Sequence, residues 1–243
     1  MVISPLAFGS LRGKRALWLR SVLRARVHDL GRRGVPLCWL AVLEIDDVRR
    51  ALAEREPELV EDPARPRAAV AVVLREPAPG RGPEVLLIER ARHPLDPWSG
   101  HMAFPGGRVD PTDPHPRAAA ERETLEEVGL SLAGEEALGR LDDLEGRHAG
   151  RPLSLVISAW VYHAKEPGEL SLNHEVETAL WVPLARLVDP AHHVEYPTPI
   201  GGYPGILVGE PDRHVVWGLT YRFLEIFLAS LGHPLPNRWT SRS

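Results

Sequence analysis

The chain has one cysteine, Cys38, among 243 residues, which excludes an internal disulfide and a cysteine-rich zinc site. Long apolar runs are scarce as well. The longest strongly apolar stretch near the N-terminus, residues 35–43, is about half the length that a membrane-spanning helix needs. We therefore expect no membrane span, and the single cysteine is typical of a protein from a reducing compartment such as the cytoplasm.

A strong excess of charge of either sign is also missing. Lys and Arg number 29 against 33 Asp and Glu, so the net charge of −4 gives no electrostatic case for nucleic-acid binding. The first 33 residues are an exception, because they carry eight Lys and Arg and a single acid, Asp29. We interpret this segment as an extension without a defined role. An organellar transit peptide and a basic helix on an anionic surface are the alternatives.

Hydrophobic periodicity predicts a mixture of helices and strands without the regular alternation of a doubly wound sheet. In chain order, the predicted elements are a helix within 44–56, a hairpin of strands 68–74 and 85–90, a helix at 116–128, a strand at 153–164, and a strand from 177 that runs into a short helix at Pro183. The last element is a helix from about Gly218, with one apolar side formed by Leu219, Phe223, Ile226, Phe227 and Leu231. This pattern predicts an α+β domain over residues 61–235, preceded by an extension and short helix at 1–60 and followed by a tail at 236–243.

The most unusual stretch is AFPGGRVDPTDPHPRAAAERETLEEVGL, residues 103–130. It places Glu123, Glu126 and Glu127 within about a quarter turn of one another on the predicted helix, which Gly129 is expected to end. The opposite side carries three residues that are predicted to face a core, Ala118, Leu125 and Val128.

Three acids on one side of a helix need an explanation, because like charges at this spacing destabilise a helix by roughly 0.2–0.5 kcal/mol per pair. A solvated charged face is the ordinary explanation, but Arg122 is the only nearby cation in the sequence. Mg²⁺ or Mn²⁺ could neutralise the cluster, because both bind carboxylates and complete their coordination with phosphate oxygens and water. We therefore predict a metal site at these acids, with the Gly107 carbonyl as a further ligand.

The same residues resemble a known motif. Gly107, Arg122-Glu123, Glu126-Glu127, Gly129 and Leu130 are similar to the Nudix box, G-x5-E-x7-R-E-U-x-E-E-x-G-U, in which U is a bulky apolar residue. Two positions depart from it. Asp113 stands in place of the first Glu, with eight residues rather than seven between it and Arg122, and Thr124 takes a usually apolar position.

The longer pattern FPGGxxDxxD…RExxEExGL resembles the coenzyme A pyrophosphatase branch of the Nudix hydrolase superfamily. LLIERARHPLDPWSGHMAFPGG, residues 86–107, resembles the upstream pattern of that branch, except that Asp96 and Trp98 replace its Arg and His. The resemblance implies an α/β/α sandwich with a mixed central sheet. It also implies Mg²⁺- or Mn²⁺-dependent hydrolysis of the diphosphate bond in coenzyme A-like or related nucleoside diphosphate compounds, by attack of water at phosphorus.

The resemblance also implies individual roles. Glu126 and Glu127 would be the main metal ligands, Glu123 a further ligand or the catalytic base, and Arg122 the partner of a box carboxylate. Glu175 or Glu177 is a competing candidate for the base, and solvated loop acids are an equally good interpretation of both.

Candidate substrate contacts are Arg90 and Arg92 for phosphate and Trp98 for stacking on adenine. The tryptophans at 160, 181 and 217 are expected to pack in the interior. The expected partner is a small nucleotide diphosphate, and a homodimer is compatible with the sequence. The alternatives are a Nudix pyrophosphatase for NADH, ADP-ribose or dinucleoside polyphosphates, and a nucleotide-binding module without turnover.

Overall fold

The computed structural model describes residues 43–235, apart from residue 79 and segments 93–98, 149–150 and 199–200. The basic segment 1–33, nearly all of the apolar segment 35–43, Asp96 and Trp98 therefore lie outside the described residues, as does the predicted tail.

The helices and strands alternate irregularly along the described chain. In order they are α1 (Ile45–Ala53), β1 (Arg67–Arg75), β2 (Glu84–Arg90), β3 (Met102–Ala103), β4 (Gly106–Arg108), α2 (Pro116–Val128), β5 (Glu136–Arg140), β6 (Leu144–His148), β7 (Arg151–His163), β8 (Val176–Pro183), α3 (Leu184–Val188), a 3₁₀ turn (Pro190–His192), β9 (His193–Thr198), β10 (Gly201–Leu207), β11 (Val215–Trp217) and α4 (Gly218–Ser230).

The larger sheet is mixed. β1 and β7 run parallel from the pair Arg67–Val156 to the pair Leu74–His163, and β1 and β2 form the predicted antiparallel hairpin. The central order is β3-β2-β1-β7-β5, with β8 paired to β2, β4 to β1 and β6 to β7. A parallel pair requires a long crossover, and the segment between β1 and β7 supplies one that contains β2 to β6 and α2.

Helices cover both faces of this sheet. Successive residues of a strand point to opposite sides, so one strand contributes to two cores. In β1, Val72 and Leu74 belong to a core shared with α1 and α4, whereas Ala71 and Val73 belong to a second core shared with α2. A strand buried on both faces has little room for polar residues, which explains the continuous apolar runs that predicted β1 and β2. The predicted α+β class, with a mixed sheet between helical layers, is confirmed.

The short helix α1 lies within the predicted range and packs on the main core. Ile45, Val48 and Leu52 are buried in the same cluster as residues of the sheet. The Leu52 side chain lies against Gly139 of β5, where a β-carbon would come within 2.9 Å of it. The helix therefore belongs to the same core as the sheet, although the sequence assigns it to the N-terminal extension.

A second, antiparallel sheet consists of β9, β10 and β11. Ile206 and Val216 of this sheet pack in the main core together with Phe223 and Phe227 of α4, which begins at Gly218 as predicted. The buried face of α4 differs in part from the predicted one. Tyr221, Leu224 and Leu228 are buried, whereas Leu219, Ile226 and Leu231 are half-buried.

The tryptophans expected in the interior are only half-buried. Trp181 lies under the Arg75 guanidinium, 4.3 Å from ring centroid to Cζ, and Trp160 lies under that of Arg140 at 4.9 Å. Both indoles are therefore partly covered by cations, an arrangement that an apolar pattern cannot predict. Trp217 is described with the site below.

Candidate active site

Helix α2 carries the acidic cluster and ends as predicted. The His115 Nδ1 accepts a hydrogen bond from the Ala118 amide at 3.0 Å, and Pro116 opens the first turn. Gly129 closes the helix in the left-handed conformation, with φ of 70°. In the segment that follows, the Asn173 amide donates to the Glu127 carbonyl at 3.0 Å, so a last-turn carbonyl that lacks a partner within the helix finds one here.

The buried face of α2 is rotated relative to the predicted one. Val128 is buried as expected, but Leu125 is 52% exposed and Ala118 is half-buried, so the prediction that these two face the core is wrong. The reason is that Glu127 and Thr124 point inward, and the Thr124 hydroxyl donates to the Ala120 carbonyl at 2.7 Å. The intrahelical bond satisfies the buried hydroxyl at the position where the box usually has an apolar residue.

Two glycines of the turn before α2 fit closely against the acidic side of the helix. Gly106 has φ of 147°, its amide donates to the Glu127 Oε2 at 2.9 Å, and a β-carbon there would collide with the Ala69 carbonyl. At Gly107 a β-carbon would collide with the Glu123 carboxyl group. Gly106 is therefore required by its close approach to β1, and Gly107 by its close approach to a predicted metal ligand.

Glu127 is the most deeply buried of the three acids, with 2% of its surface exposed. Burial raises its pKa to about 8, against the effects of the Gly106 amide and of Arg90, whose Nη1 lies 4.0 Å from the Glu127 Oε1. Burial also raises the pKa of Glu123, which Arg122 opposes. Both carboxylates therefore lie where a nearby positive charge would favour their ionised forms.

Arg122 connects the helix to the loop before it. Its Nε and Nη2 bind the two Asp113 carboxylate oxygens at 3.1 and 3.0 Å, and Nη2 also donates to the Arg108 carbonyl. Its Nη1 lies 3.0 Å from Glu123 and 3.2 Å from Glu126. Arg122 thus pairs with box carboxylates as predicted. Asp113, noted in the sequence only as a departure from the box, is its bidentate partner.

The three acids share one side of α2 but do not form a preformed cage. Glu126 is exposed, Arg122 bridges it to Glu123, and Glu127 turns into the protein. Within residues 43–235, outside the gaps given above, no three His, Cys, Asp or Glu side chains converge closely enough to enclose a metal ion. The donor set still fits a hard divalent cation, because it offers carboxylate oxygens and leaves the Glu127 charge poorly compensated.

The structure separates the two candidates for an alternative base. The Glu175 carbonyl accepts from the Ala91 amide at 2.8 Å, and its carboxylate lies near enough to contribute to the raised pKa of Glu123 and of Glu127. The Glu177 carboxylate instead lies 3.7 Å from the Arg213 guanidinium. Glu175 therefore lies within electrostatic range of Glu123 and Glu127, and Glu177 belongs to a separate ion pair.

Of the two candidate phosphate contacts, Arg90 lies beside the same site. Arg90 ends β2 and reaches toward Glu127. Arg92 is exposed, and its side chain passes 3.9 Å from the point where a β-carbon on Gly100 would lie. Trp98, the third predicted contact, lies outside the described residues.

A half-buried aromatic group was missed at the sequence level. It comprises His101, Tyr196, Tyr203 and Trp217. Trp217 was expected in the interior. Three of the four residues lie on neighbouring strands of the second sheet, and His101 joins them because this sheet packs beside β3.

Comparison with known proteins identifies the domain. The model of the NUDIX domain family matches residues 65–199. Over 198 residues the chain is 28% identical to the uncharacterized Nudix hydrolase NudL of Shigella flexneri, covering 78% of this chain and 96% of that protein. Over 113 residues it is 43% identical to the uncharacterized protein C14C4.10c of Schizosaccharomyces pombe, but this match covers only 44% of this chain and 34% of that protein.

Solved structures also resemble this chain, at lower sequence identity. A Nudix hydrolase from Alicyclobacillus acidocaldarius matches with a TM-score of 0.49 and 19% identity, over 73% of this chain and 95% of that one. An Ap4A hydrolase from C. elegans matches with a TM-score of 0.41 and 25% identity, over 52% and 85% respectively. Within the described part of the chain, the helices are too short or too polar to cross a membrane.

Proposed function

The chain belongs to the NUDIX domain family, whose hydrolases act on nucleoside diphosphate derivatives, and we propose that it is a Mg²⁺- or Mn²⁺-dependent pyrophosphohydrolase of coenzyme A-like substrates. One observation carries the catalytic part of this proposal. The glycine turn holds Glu127, through the Gly106 amide at 2.9 Å, beside Glu123 on the same side of one helix. A module that only senses nucleotides has no need for these buried acids.

The proposal assigns a role to each acid of the site. Glu123, Glu126 and Glu127 would hold the cation, together with the Gly107 carbonyl. When bound, the cation would neutralise the diphosphate and lower the barrier to attack by water at phosphorus. The carboxylate of Glu123, or that of Glu175, would accept a proton from the attacking water.

Arg122 acts through its neighbours. Its two-pronged bond with Asp113 fixes the guanidinium, which in turn holds Glu123 and Glu126 on the outer side of the helix. A cation that enters the site would compete with Nη1 for both carboxylates. The bond to Asp113 would keep the Arg122 guanidinium in place while the cation binds the two carboxylates.

The substrate part of the proposal depends on the FPGG and upstream patterns. Arg90 and Arg92 follow one another along the edge of the site and could bind the further phosphates of a coenzyme A-like molecule. The identity to an uncharacterized NudL protein supports the family and leaves the substrate to be measured.

A substrate panel tests both parts. We expect coenzyme A to be cut to 3′,5′-ADP and 4′-phosphopantetheine in the presence of Mg²⁺ or Mn²⁺, with NADH, ADP-ribose and diadenosine polyphosphates cut more slowly. A clear preference for one of those three would contradict the coenzyme A assignment but would still support a pyrophosphohydrolase. Turnover of none of them would leave only the nucleotide-binding alternative.

A further inference from the structure

The aromatic group of His101, Tyr196, Tyr203 and Trp217 forms one continuous surface. The Tyr196 and Trp217 rings are stacked, with centroids 4.3 Å apart and planes 13° from parallel. The His101 ring meets the Trp217 ring edge-on at 4.8 Å, and the Tyr203 ring does so at 6.0 Å. All four side chains are half-buried, so each contributes to an accessible surface.

This surface is not needed to build the main core. Side chains alternate between the two faces of a strand, and the core-facing residues of the second sheet are those such as Ile206 and Val216. Tyr196 lies directly opposite Tyr203, and Trp217 lies opposite Gly205, so these aromatic side chains occupy the other face. Packing of the interior therefore does not explain the aromatic group.

Gly205 permits the stacking of Trp217 on Tyr196 across an intervening strand. Neighbouring strands lie about 4.8 Å apart, so side chains on β9 and β11 are separated by about twice that distance. At Gly205, on the strand between them, a β-carbon would come within 2.8 Å of the Val215 side chain and 3.5 Å of that of Val194. Gly205 itself adds no side chain between the two rings, and the small side chains of Val215 and Val194 lie over it instead.

Backbone hydrogen bonds connect the aromatic surface to the acidic site. The Arg90 amide donates to the His101 carbonyl at 3.1 Å, and the Gly100 amide donates to the Arg90 carbonyl at 3.0 Å. The Arg90 side chain reaches toward Glu127 on one side, and Arg92 lies along Gly100 on the other. Glu127, Arg90, the backbone of Gly100 and His101, and the aromatic rings thus form one path of successive contacts.

A buried ion pair fixes the second sheet at this place. Glu89, the residue before Arg90, is 2% exposed. The Arg213 Nη2 lies 2.8 Å from the Glu89 Oε2, and the His214 Nε2 lies 3.3 Å from the same oxygen. The position of the aromatic rings relative to Arg90 is therefore held by contacts of the buried Glu89 carboxylate with a partly exposed guanidinium and a buried imidazole.

We propose that the rings of His101, Tyr196, Tyr203 and Trp217 form the binding site for the adenine base of the substrate. The order along the path matches a nucleotide: carboxylates for the metal-bound diphosphate, Arg90 and Arg92 for phosphate oxygens, and aromatic rings for the base. A base gains stacking energy from such rings with little dependence on its hydrogen-bonding edge. This proposal names the residues that bind the base of the substrate, and it rests on the proposed function.

The test compares two ligands that differ only in the base, AMP and ribose 5-phosphate. Neither contains a diphosphate bond, so binding is measured calorimetrically without turnover. In Tyr196→Leu and in Trp217→Leu we expect the Kd for AMP to rise about tenfold and the Kd for ribose 5-phosphate to stay unchanged. Tyr196→Phe and Trp217→Phe keep an aromatic face and should bind AMP as the wild type does.

Trp160→Leu is the matched control, because Trp160 lies on β7, separated from β3 by β1 and β2. Thermal unfolding identifies variants that do not fold. Trp217 precedes α4, so Tyr196→Leu decides the matter if Trp217→Leu unfolds. A folded Tyr196→Leu protein that binds AMP as tightly as the wild type overturns the proposal, as does an equal loss of affinity for both ligands.

The same binding data separate this proposal from the proposed function. If the variants lose affinity for AMP alone and the wild type hydrolyses no diphosphate, the base site is supported and the proposed hydrolase function is contradicted. If the protein hydrolyses a diphosphate and both folded Leu variants keep the wild-type KM, the proposed hydrolase function is supported and the base site is contradicted.

Discussion

The acidic site and the aromatic surface lie side by side but are built in different ways. The acidic site comes mostly from one contiguous stretch, residues 103–130, in which a glycine turn and a helix position each other. The aromatic surface draws on β9, β10, β11 and the residue before β3. The first depends on local backbone geometry and the second on tertiary packing. Substitutions in the first should therefore change catalysis, and substitutions in the second should change affinity for the substrate.

The largest expected effect is at Glu127. Glu127→Gln keeps the volume and the bond from the Gly106 amide but loses the charge that attracts a cation. We expect kcat to fall by about a hundredfold to a thousandfold with little change in thermal stability. Glu121→Gln is the matched control, because Glu121 lies on the same helix but bonds to Tyr162 and Arg117. Full activity in a folded Glu127→Gln protein would remove Glu127 from the site.

Arg122→Lys should have the next largest effect. Lysine keeps the charge but cannot form the two-pronged bond to Asp113, so Glu123 and Glu126 lose their fixed partner. We expect kcat to fall about tenfold, while KM stays within about twofold. Arg117→Lys, on the same helix, controls for loss of a guanidinium elsewhere. A large rise in KM with normal kcat would assign Arg122 to substrate binding instead.

A smaller effect is expected at Glu175, which the structure places near Glu123 and Glu127. Removing its charge in Glu175→Gln should lower kcat severalfold, at most about tenfold, if Glu123 is the base. Glu177→Gln provides the control, because Glu177 pairs with Arg213. A loss as large as that of Glu127→Gln would make Glu175 the base.

The smallest effect concerns stability rather than rate. The pKa of Glu127 is raised from its ordinary 4.5 to about 8 by burial, so folding favours its protonated form. The contribution of Glu127 to stability is fully present below pH 4.5 and is lost as the pH rises toward 8. Denaturant unfolding of metal-free protein should show this loss, which Glu127→Gln should diminish. Equal pH profiles for the two proteins would contradict the assigned pKa.

The contrast between the two regions also explains what the sequence could predict. Helix α2, its glycine cap and the hairpin of β1 and β2 depend on local signals, and all were predicted within a few residues. The inward turn of Glu127 was not predicted, because the core-facing side of the helix was assigned to Ala118, Leu125 and Val128. The aromatic surface and the separation of Glu175 from Glu177 depend on contacts between distant segments, about which a single sequence carries no signal.

The measurement that tests the central claim most directly is a titration of the wild type and of Glu127→Gln with Mn²⁺, followed by electron paramagnetic resonance of the free ion. The claim is that the carboxylates beside the glycine turn hold a catalytic divalent cation. We expect the wild type to bind Mn²⁺ in a site that Mg²⁺ competes for and that Glu127→Gln weakens by about tenfold or more. Equal Mn²⁺ binding by the two folded proteins would contradict it.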